Sequence, residues 1–322
     1  MSCSEFSLIE KYFSQQSISR DDVVLGIGDD AAVMQLASNE QLVVSTDTMV
    51  EGVHFPLKTS PFDIGYKLMA VNLSDLAAMG ACPRWASLAL TLPNSDSEWL
   101  EQFSAGLFSL AEKYSVQLVG GDTTRGPLTL TLSLQGTVTS NQYLRRSGAQ
   151  AGDAIYVSGQ LGDAGLALRQ LLAKEAVKPQ FLARLNRPTP RVELGQSLLG
   201  VANASIDISD GLLADLGHLL DSSKLGAQIQ LNDLPLSKAV KSTTTDEDWS
   251  LPLTAGDDYE LCFTVAESAI KRLEQQHCAL TRIGTIVEKQ GIDCITKAGL
   301  LLSPKSTGFE HFSLDNNEEA SS

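Results

Sequence analysis

The chain has 322 residues, 43% of them hydrophobic and 20% charged, enough for two domains at roughly 100–200 residues each and too apolar for a disordered or fibrous design. Asp and Glu number 39 against 24 Lys and Arg, and a formal net charge of -15 repels phosphate backbones and anionic lipid, so nucleic acid and membrane are excluded as natural partners. If so acidic a protein binds phosphates, it needs cations as intermediaries.

Phe6, Ile9 and Phe13 mark one face of a short opening helix. Val23–Leu36 and Gln41–Val50 read as strands separated by the polar turn Ala37–Glu40. A long helix starts at the cap Ser60, with Pro61 in its first turn and Asp63 at the third position, and stops at Gly80 and Pro83. Trp85–Leu92 forms the next strand. Ser95 with Glu98 makes a capping box for a helix whose buried stripe is Leu100, Phe103, Leu107 and Leu110. Leu128–Val138 alternates as a strand does.

Around Arg145–Gly152 the composition turns polar and glycine-rich, and a new series of elements begins, so the domains are placed at 1–147 and 148–322. The second half offers strands at Ala154–Ser158, Ser205–Ile208, Ala227–Leu231, Glu260–Val265 and the Ile283–Ile295 region. Helices fall near Asp163–Leu172, Arg191–Val201, Leu212–Ser222 and Glu267–His277. Strands and helices mix without strict βαβ alternation, which favours α+β over a doubly wound sheet. The acidic tail DNNEEASS reads as a frayed terminus.

Cys3, Cys82, Cys262, Cys278 and Cys294 are scattered and odd in number, with no CxxC pair, so neither a disulfide framework nor a zinc knuckle is indicated. The opening residues lack a basic region followed by an apolar stretch, and no run approaches the roughly 20 apolar residues of a membrane span. A cytoplasmic protein is expected.

The chemistry-bearing pattern is aspartate beside glycine at strand ends: Gly28-Asp29-Asp30, Gly120-Gly121-Asp122 and Gly256-Asp257-Asp258. Ser45-Thr46-Asp47 and Asp207-Ile208-Ser209-Asp210 place hydroxyls beside carboxylates, and Asp75 stands on the long helix with Asn72 one turn earlier on the same face. Any one Gly-Asp pair is explained by a turn. Several sets of hard oxygen donors on different loops suit magnesium ions, each holding one or two carboxylates together with substrate phosphates. Gly26–Ala31 formally matches the dinucleotide fingerprint GxGxxA, with Asp47 near the ribose distance, but a true fingerprint opens a helix and this segment reads as strand, turn and strand. The glycines of Gly159–Gly165 fit a tight turn before a helix. There is no GxxxxGK[ST] loop, HExxH, GxSxG or protein-kinase HRD or DFG. His54 either lines the same site as Asp47 or is a packed histidine, and Arg125 and Arg146 either touch phosphate or cap loops.

In these residues the sequence resembles the thiamine-monophosphate kinases, a family of the aminoimidazole ribonucleotide synthetase superfamily. The matching blocks are GIGDDAAV, VVSTDTMVEGVHF, NLSDLAAMGACP, VGGDTTRG, RRSGA, DISDGLLADLGH and AGDDYEL, in order from Phe6 to Phe312. The resemblance implies an N-terminal α/β domain that dimerises through its sheet, a C-terminal α+β domain, an active site near their junction, and transfer of phosphate from ATP to thiamine monophosphate with several Mg2+ ions. Carried over residue by residue, it implies that Asp30, Ser45, Thr46, Asp47, Asp75, Asp122, Asp207 and Asp210 hold the ions. Gly121, Asp122, Arg146 and Ser209 would contact ATP; His54, Glu260 and an aromatic of the GFEHF segment, Phe309 ahead of Phe312, would contact thiamine. No dedicated general base is expected. The alternatives are another ATP-dependent synthetase of the superfamily, a Rossmann-type NAD-dependent oxidoreductase and a non-catalytic divalent-cation-binding protein. Cys3 lacks the Lys neighbour that a selenophosphate synthetase would show.

Overall fold

In the computed structural model, which describes residues 5–273, 279–302 and 308–310, the chain opens with α1 (Glu5–Tyr12) and a small antiparallel hairpin, β1 (Val23–Leu25) and β2 (Val33–Met34). The single strand expected over Val23–Leu36 is therefore two short ones, because Gly28, at φ +121°, and Asp29-Asp30 turn the chain between them. β3 (Glu40–Val50) and α2 (Pro61–Ala78) follow. The Ser60 side chain accepts the Asp63 amide at 3.1 Å with Pro61 in the first turn, as the sequence predicts. After Gly80 (φ +67°), β4 (Cys82–Leu92) starts earlier than expected. α3 (Ser97–Lys113) is capped by Asp96 and not by Ser95: the Asp96 carboxylate accepts the amides of Glu98 and Trp99. The charged acceptor one residue later reaches two orphan amides and also suits the helix dipole.

β5 (Gln117–Arg125) and β6 (Thr129–Thr139) complete a four-stranded sheet of order β3-β6-β4-β5, antiparallel except for β4 with β5. One face presents Leu130, Leu132 and Leu134 to α2, whose Leu68, Met69, Leu73 and Leu76 are fully buried, each worth about 2 kcal/mol of apolar burial. The other face carries Thr131, Ser133 and Gln135, flanked on β3 by exposed Leu42 and Val44.

The second series runs β7 (Ala154–Ser158), α4 (Asp163–Leu172) and α5 (Pro179–Asn186). The chain then returns to the first unit through α6 (Val192–Ser197), which packs on α2. It continues with β8 (Ala204–Asp207), α7 (Leu212–Ser223), β9 (Gly226–Gln230), α8 (Lys238–Thr243), α9 (Ser250–Thr254), β10 (Leu261–Val265), β11 (Leu280–Val287), β12 (Gly291–Ile295) and β13 (Leu301–Leu302). Seven strands form a sheet of order β13-β12-β9-β11-β7-β10-β8, antiparallel except for β12 with β9. Its core includes Ile155, Val157, Ile206, Leu216, Leu219 and Ile229.

The mixed connectivity is the α+β class expected. Two units emerge, Met1–Tyr143 with Asn186–Leu199 and Leu144–Leu185 with Gly200–Ser322, so the division at 147 and 148 does not separate them as drawn from composition. The excursion arises because Gly195 lets α6 lie against the Ala77 carbonyl. The helix expected over Glu267–His277 is a 3-10 helix over Glu267–Leu273; His277, Cys278, Phe312, Cys3, the Phe6 side chain and the tail lie outside the described residues. No helix among the described residues is long and apolar enough to cross a membrane.

Candidate active site

In the first unit, the two-residue period of β3 divides the Ser45-Thr46-Asp47 run between two faces. Ser45 donates through Oγ to Asp75 Oδ2 on α2, and Asp47, half-buried, shares that face. Thr46 points the other way, its Oγ1 3.0 Å from Ser133 Oγ. Asn72 is fully buried in α2 and donates to the Leu68 carbonyl at 3.0 Å, while its Oδ1 has no hydrogen-bond partner.

Asp30 is exposed at the turn between β1 and β2, with its amide 2.8 Å from Asp29 Oδ1. Asp122, also exposed, pairs with Ala89 across β4 and β5, in line with Thr131 and Thr48 on the open sheet face. The two aspartates meet at a cavity of roughly 600 Å³, lined also by Gly28, Gly121, Ser87 and Gln135. Gly121 cannot be replaced without moving β4, because a Cβ there would run into the Leu88 carbonyl. The Gly26–Ala31 segment turns between two antiparallel strands and opens no helix, so the dinucleotide reading fails on geometry.

His54 sits in the turn after β3. Its Nδ1 accepts the Val50 amide at 2.9 Å, so in the neutral ring the proton is on Nε2, which becomes a donor. Behind it, Lys67 of α2 is buried and donates to the His54 carbonyl at 3.3 Å. Sequence reasoning passed over Lys67; its signal was one cation inside the apolar run from Ile64 to Leu73.

In the second unit, the segment from Asp207 to Gly211 leaves β8 as a turn whose backbone is tied down on every side. The Ile208 amide donates to the Glu260 carbonyl, and the Tyr259, Asp257 and Phe309 amides donate to the carbonyls of Ile208, Ser209 and Asp210 at 2.7, 2.8 and 3.0 Å. Asp207, Ser209, Asp210, Glu260 and Phe309 are thereby brought to one place. Arg146 is exposed, with its carbonyl accepting from Ser223 Oγ. A residue not singled out from sequence, Asp215 of α7, takes the amides of Ser209, Asp210 and Gly211 on a single oxygen. Burial foremost, then the charges of Asp207 and Asp210, push its carboxyl up to about 8 against the pull of those amides.

Glu260 is fully buried. Its carboxylate accepts from Ser158 Oγ at 2.5 Å and pairs with Arg184 Nη2 at 3.0 Å. Gly159 makes the space, since a Cβ there would overlap that carboxylate. Arg184 also donates to the Asp258 carbonyl, and the Asp258 carboxylate accepts the Gly162 amide at 2.9 Å. Burial raises the Asp258 carboxyl well above the ordinary carboxylate range, opposed by Arg184. Asp258 belongs to the Gly256-Asp257-Asp258 set read from the sequence, whereas Arg184, on α5, carried no local signal that set it apart.

Residues 28–139 match the family model described as AIR synthase related protein, N-terminal domain, and residues 150–297 match its C-terminal counterpart. The chain is 48% identical over 301 residues to the thiamine-monophosphate kinase of Haemophilus influenzae, covering 90% of this chain and 92% of that protein. It belongs to the thiamine-monophosphate kinase family. A crystal structure of a thiamine-monophosphate kinase from Stenotrophomonas maltophilia is similar at a TM-score of 0.83 and 47% identity, covering 91% of this chain and 97% of that one. A structure described as AaThiL complexed with AMPPCP and TMP is similar at 0.75 and 33% identity, over 86% of this chain and 89% of that one.

Among the described residues no three His, Cys, Asp or Glu side chains are grouped as a metal cage. The positions expected to hold magnesium offer oxygen donors throughout: Ser45 and Asp75, joined by a hydrogen bond, and Asp30, Asp47, Asp122, Asp207 and Asp210. That donor set fits Mg2+, which dehydrates reluctantly and takes one or two carboxylates besides water and substrate phosphate.

Proposed function

We infer that this chain catalyses the reaction of its family, transferring phosphate from ATP to thiamine monophosphate to give ADP and thiamine diphosphate. The relative whose structure holds AMPPCP and TMP carries this reading, since the two chains align over most of their lengths. In the reading, Asp30, Ser45, Asp47, Asp75, Asp122, Asp207 and Asp210 hold Mg2+; Thr46, which faces away from Ser45, contributes from the open side of the sheet. Magnesium bound there would screen phosphate charge and lower the barrier by several kcal/mol. Gly121, Asp122, Arg146 and Ser209 contact ATP. His54, through its Nε2 donor, and the half-exposed Phe309 contact the thiamine moiety. Glu260 backs that contact from within, and reaches substrate only when Arg184 releases it.

The open sheet face of the first unit, with Leu42 48% and Val44 56% exposed, supports a homodimer formed through that face. Cys82, Cys262 and Cys294 are free thiols, in keeping with a reduced cytoplasm. The deciding experiment is ADP release from ATP with thiamine monophosphate as acceptor, alongside NAD(H) binding. Release dependent on thiamine monophosphate, without NAD(H) binding, is expected; folded protein that releases none overturns the reading.

A further inference from the structure

We propose that Asp215 is a positioning residue for phosphoryl transfer: it holds the amides of the Ser209–Gly211 turn and so aims Asp207, Ser209 and Asp210 at their ligands. The proposal rests on the roles given to those three residues under the proposed function. Its ground is geometric. Asp215 Oδ2 lies 2.9 Å from the Ser209 amide, 3.0 Å from that of Asp210 and 3.2 Å from that of Gly211.

Helix capping does not account for this arrangement. A cap satisfies amides inside the first turn, at the second or third helical position. Gly211 is the cap residue of α7, which has no side-chain cap, and Asp215 reaches back to Gly211 and the two residues before it. Its bonds therefore shape the turn that precedes the helix. The carbonyls of the turn are engaged separately, by the Tyr259, Asp257 and Phe309 amides. With amides and carbonyls both engaged, the backbone of Ile208–Gly211 has little freedom left, and the side chains of Asp207, Ser209 and Asp210 inherit its orientation.

The acidic character of the anchor is the telling part. Asp215 is 3% exposed and stands near two other carboxylates, an unfavourable place for a third. Each of the three amides would bind an ionised carboxylate oxygen more strongly than the neutral oxygen an asparagine would offer in its place. The arrangement gives up electrostatic comfort in exchange for a fixed turn, as expected where the turn itself binds cations and phosphate.

The test compares full-length parent with Asp215→Asn and Asp215→Ala. Three readouts are taken: melting temperature, binding of Mg·AMPPCP by titration calorimetry, and kcat and KM for both substrates with the Mg2+ concentration giving half-maximal rate. Asp215→Ala is expected to bind Mg·AMPPCP at least tenfold more weakly and to need at least tenfold more Mg2+, with the KM for thiamine monophosphate within twofold of the parent. Asp215→Asn should recover part of the loss. Smaller effects in folded Asp215→Ala overturn the proposal, and so does failure of both variants to fold, which would make the carboxylate a requirement of the fold alone. Because the calorimetric readout needs no turnover, a parent that binds Mg·AMPPCP yet leaves thiamine monophosphate unphosphorylated would sink the proposed function and leave the Asp215 test standing.

Discussion

Ser45 on β3 donates its hydroxyl to the Asp75 carboxylate on α2, joining the edge strand of the first sheet to the helix that covers it. Asp47, half-buried, lies two residues along β3 on the same face as Ser45. The proposed function assigns a divalent cation to these donors. Removing one ligand charge should cost at least about 100-fold in turnover, given that about 1.36 kcal/mol is tenfold in rate. Asp47→Asn and Asp75→Asn are the variants, assayed at saturating magnesium with folding verified by circular dichroism. Near-normal kcat in both would falsify the assignment.

The cysteines should be dispensable for chemistry. Burial foremost pushes the Cys262 thiol up to about 12 and that of Cys294 up to about 11, far from the range of a nucleophile at neutral pH. Cys262→Ala and Cys294→Ala should lower the melting temperature through lost packing and leave kcat within about twofold. A maleimide should label exposed Cys82 and spare both buried thiols in the folded protein. Loss of kcat in a folded Cys262→Ala protein would reveal a role for that thiol.

Stability should depend on pH through Asp215. Its folded carboxyl is raised from the ordinary 3.8 to about 8, so the folded state holds a proton that the unfolded state releases. The contribution is fully present below the unfolded value and is lost as pH rises toward about 8, at no more than about 1.4 kcal/mol per pH unit. Asp258, shifted in the same direction, adds to the trend. Melting temperatures measured in chelator from pH 5 to 8 should fall more steeply for the parent than for Asp215→Asn. Equal slopes would show that Asp215 does not titrate in this window.

Much of the local structure was legible because local chemistry fixes it. Ser60, Pro61 and Asp63 announce α2 through a hydrogen bond three residues long. The break between β1 and β2 was harder: Val33 and Met34 are as strand-like as Val23 and Leu25, and only the positive φ of Gly28 shows that the chain reverses. The opposed faces of Thr46 and Ser45 follow from strand alternation, yet the motif STD reads as one block of ligands. Asp215, Arg184 and Lys67 escaped notice for another reason. Each acts through partners fixed by tertiary contact, such as Arg184 with Glu260, 76 residues apart, and no periodicity encodes such a pair.

The sheet face bearing Leu42 and Val44 should pair with a second copy. Light scattering at micromolar concentration should give about twice the 34.5 kDa chain mass, and Val44→Lys should shift the population toward monomer. A parent mass near 34.5 kDa throughout the concentration range would exclude the dimer.

Transfer should be direct. A phosphate monoester has a second pKa of about 6, so near neutral pH thiamine monophosphate is already largely a dianion and has no hydroxyl proton to lose. One of its oxygens forms the new bond to the γ-phosphorus of ATP as the bond from that phosphorus to the bridging oxygen breaks, and ADP leaves with the electron pair. The site matches this economy: His54 is held as an Nε2 donor by the Val50 amide, an arrangement suited to orienting substrate and not to removing a proton. The obstacle is repulsion between two polyanions, which would be met by positioning and by the Mg2+ ions that the aspartates would hold. Two measurements follow. When chemistry limits turnover, kcat should be nearly flat above neutral pH, and ATP made chiral at the γ-phosphorus should yield product of inverted configuration. Net retention would require a phosphoenzyme intermediate, and the direct route would have to be given up.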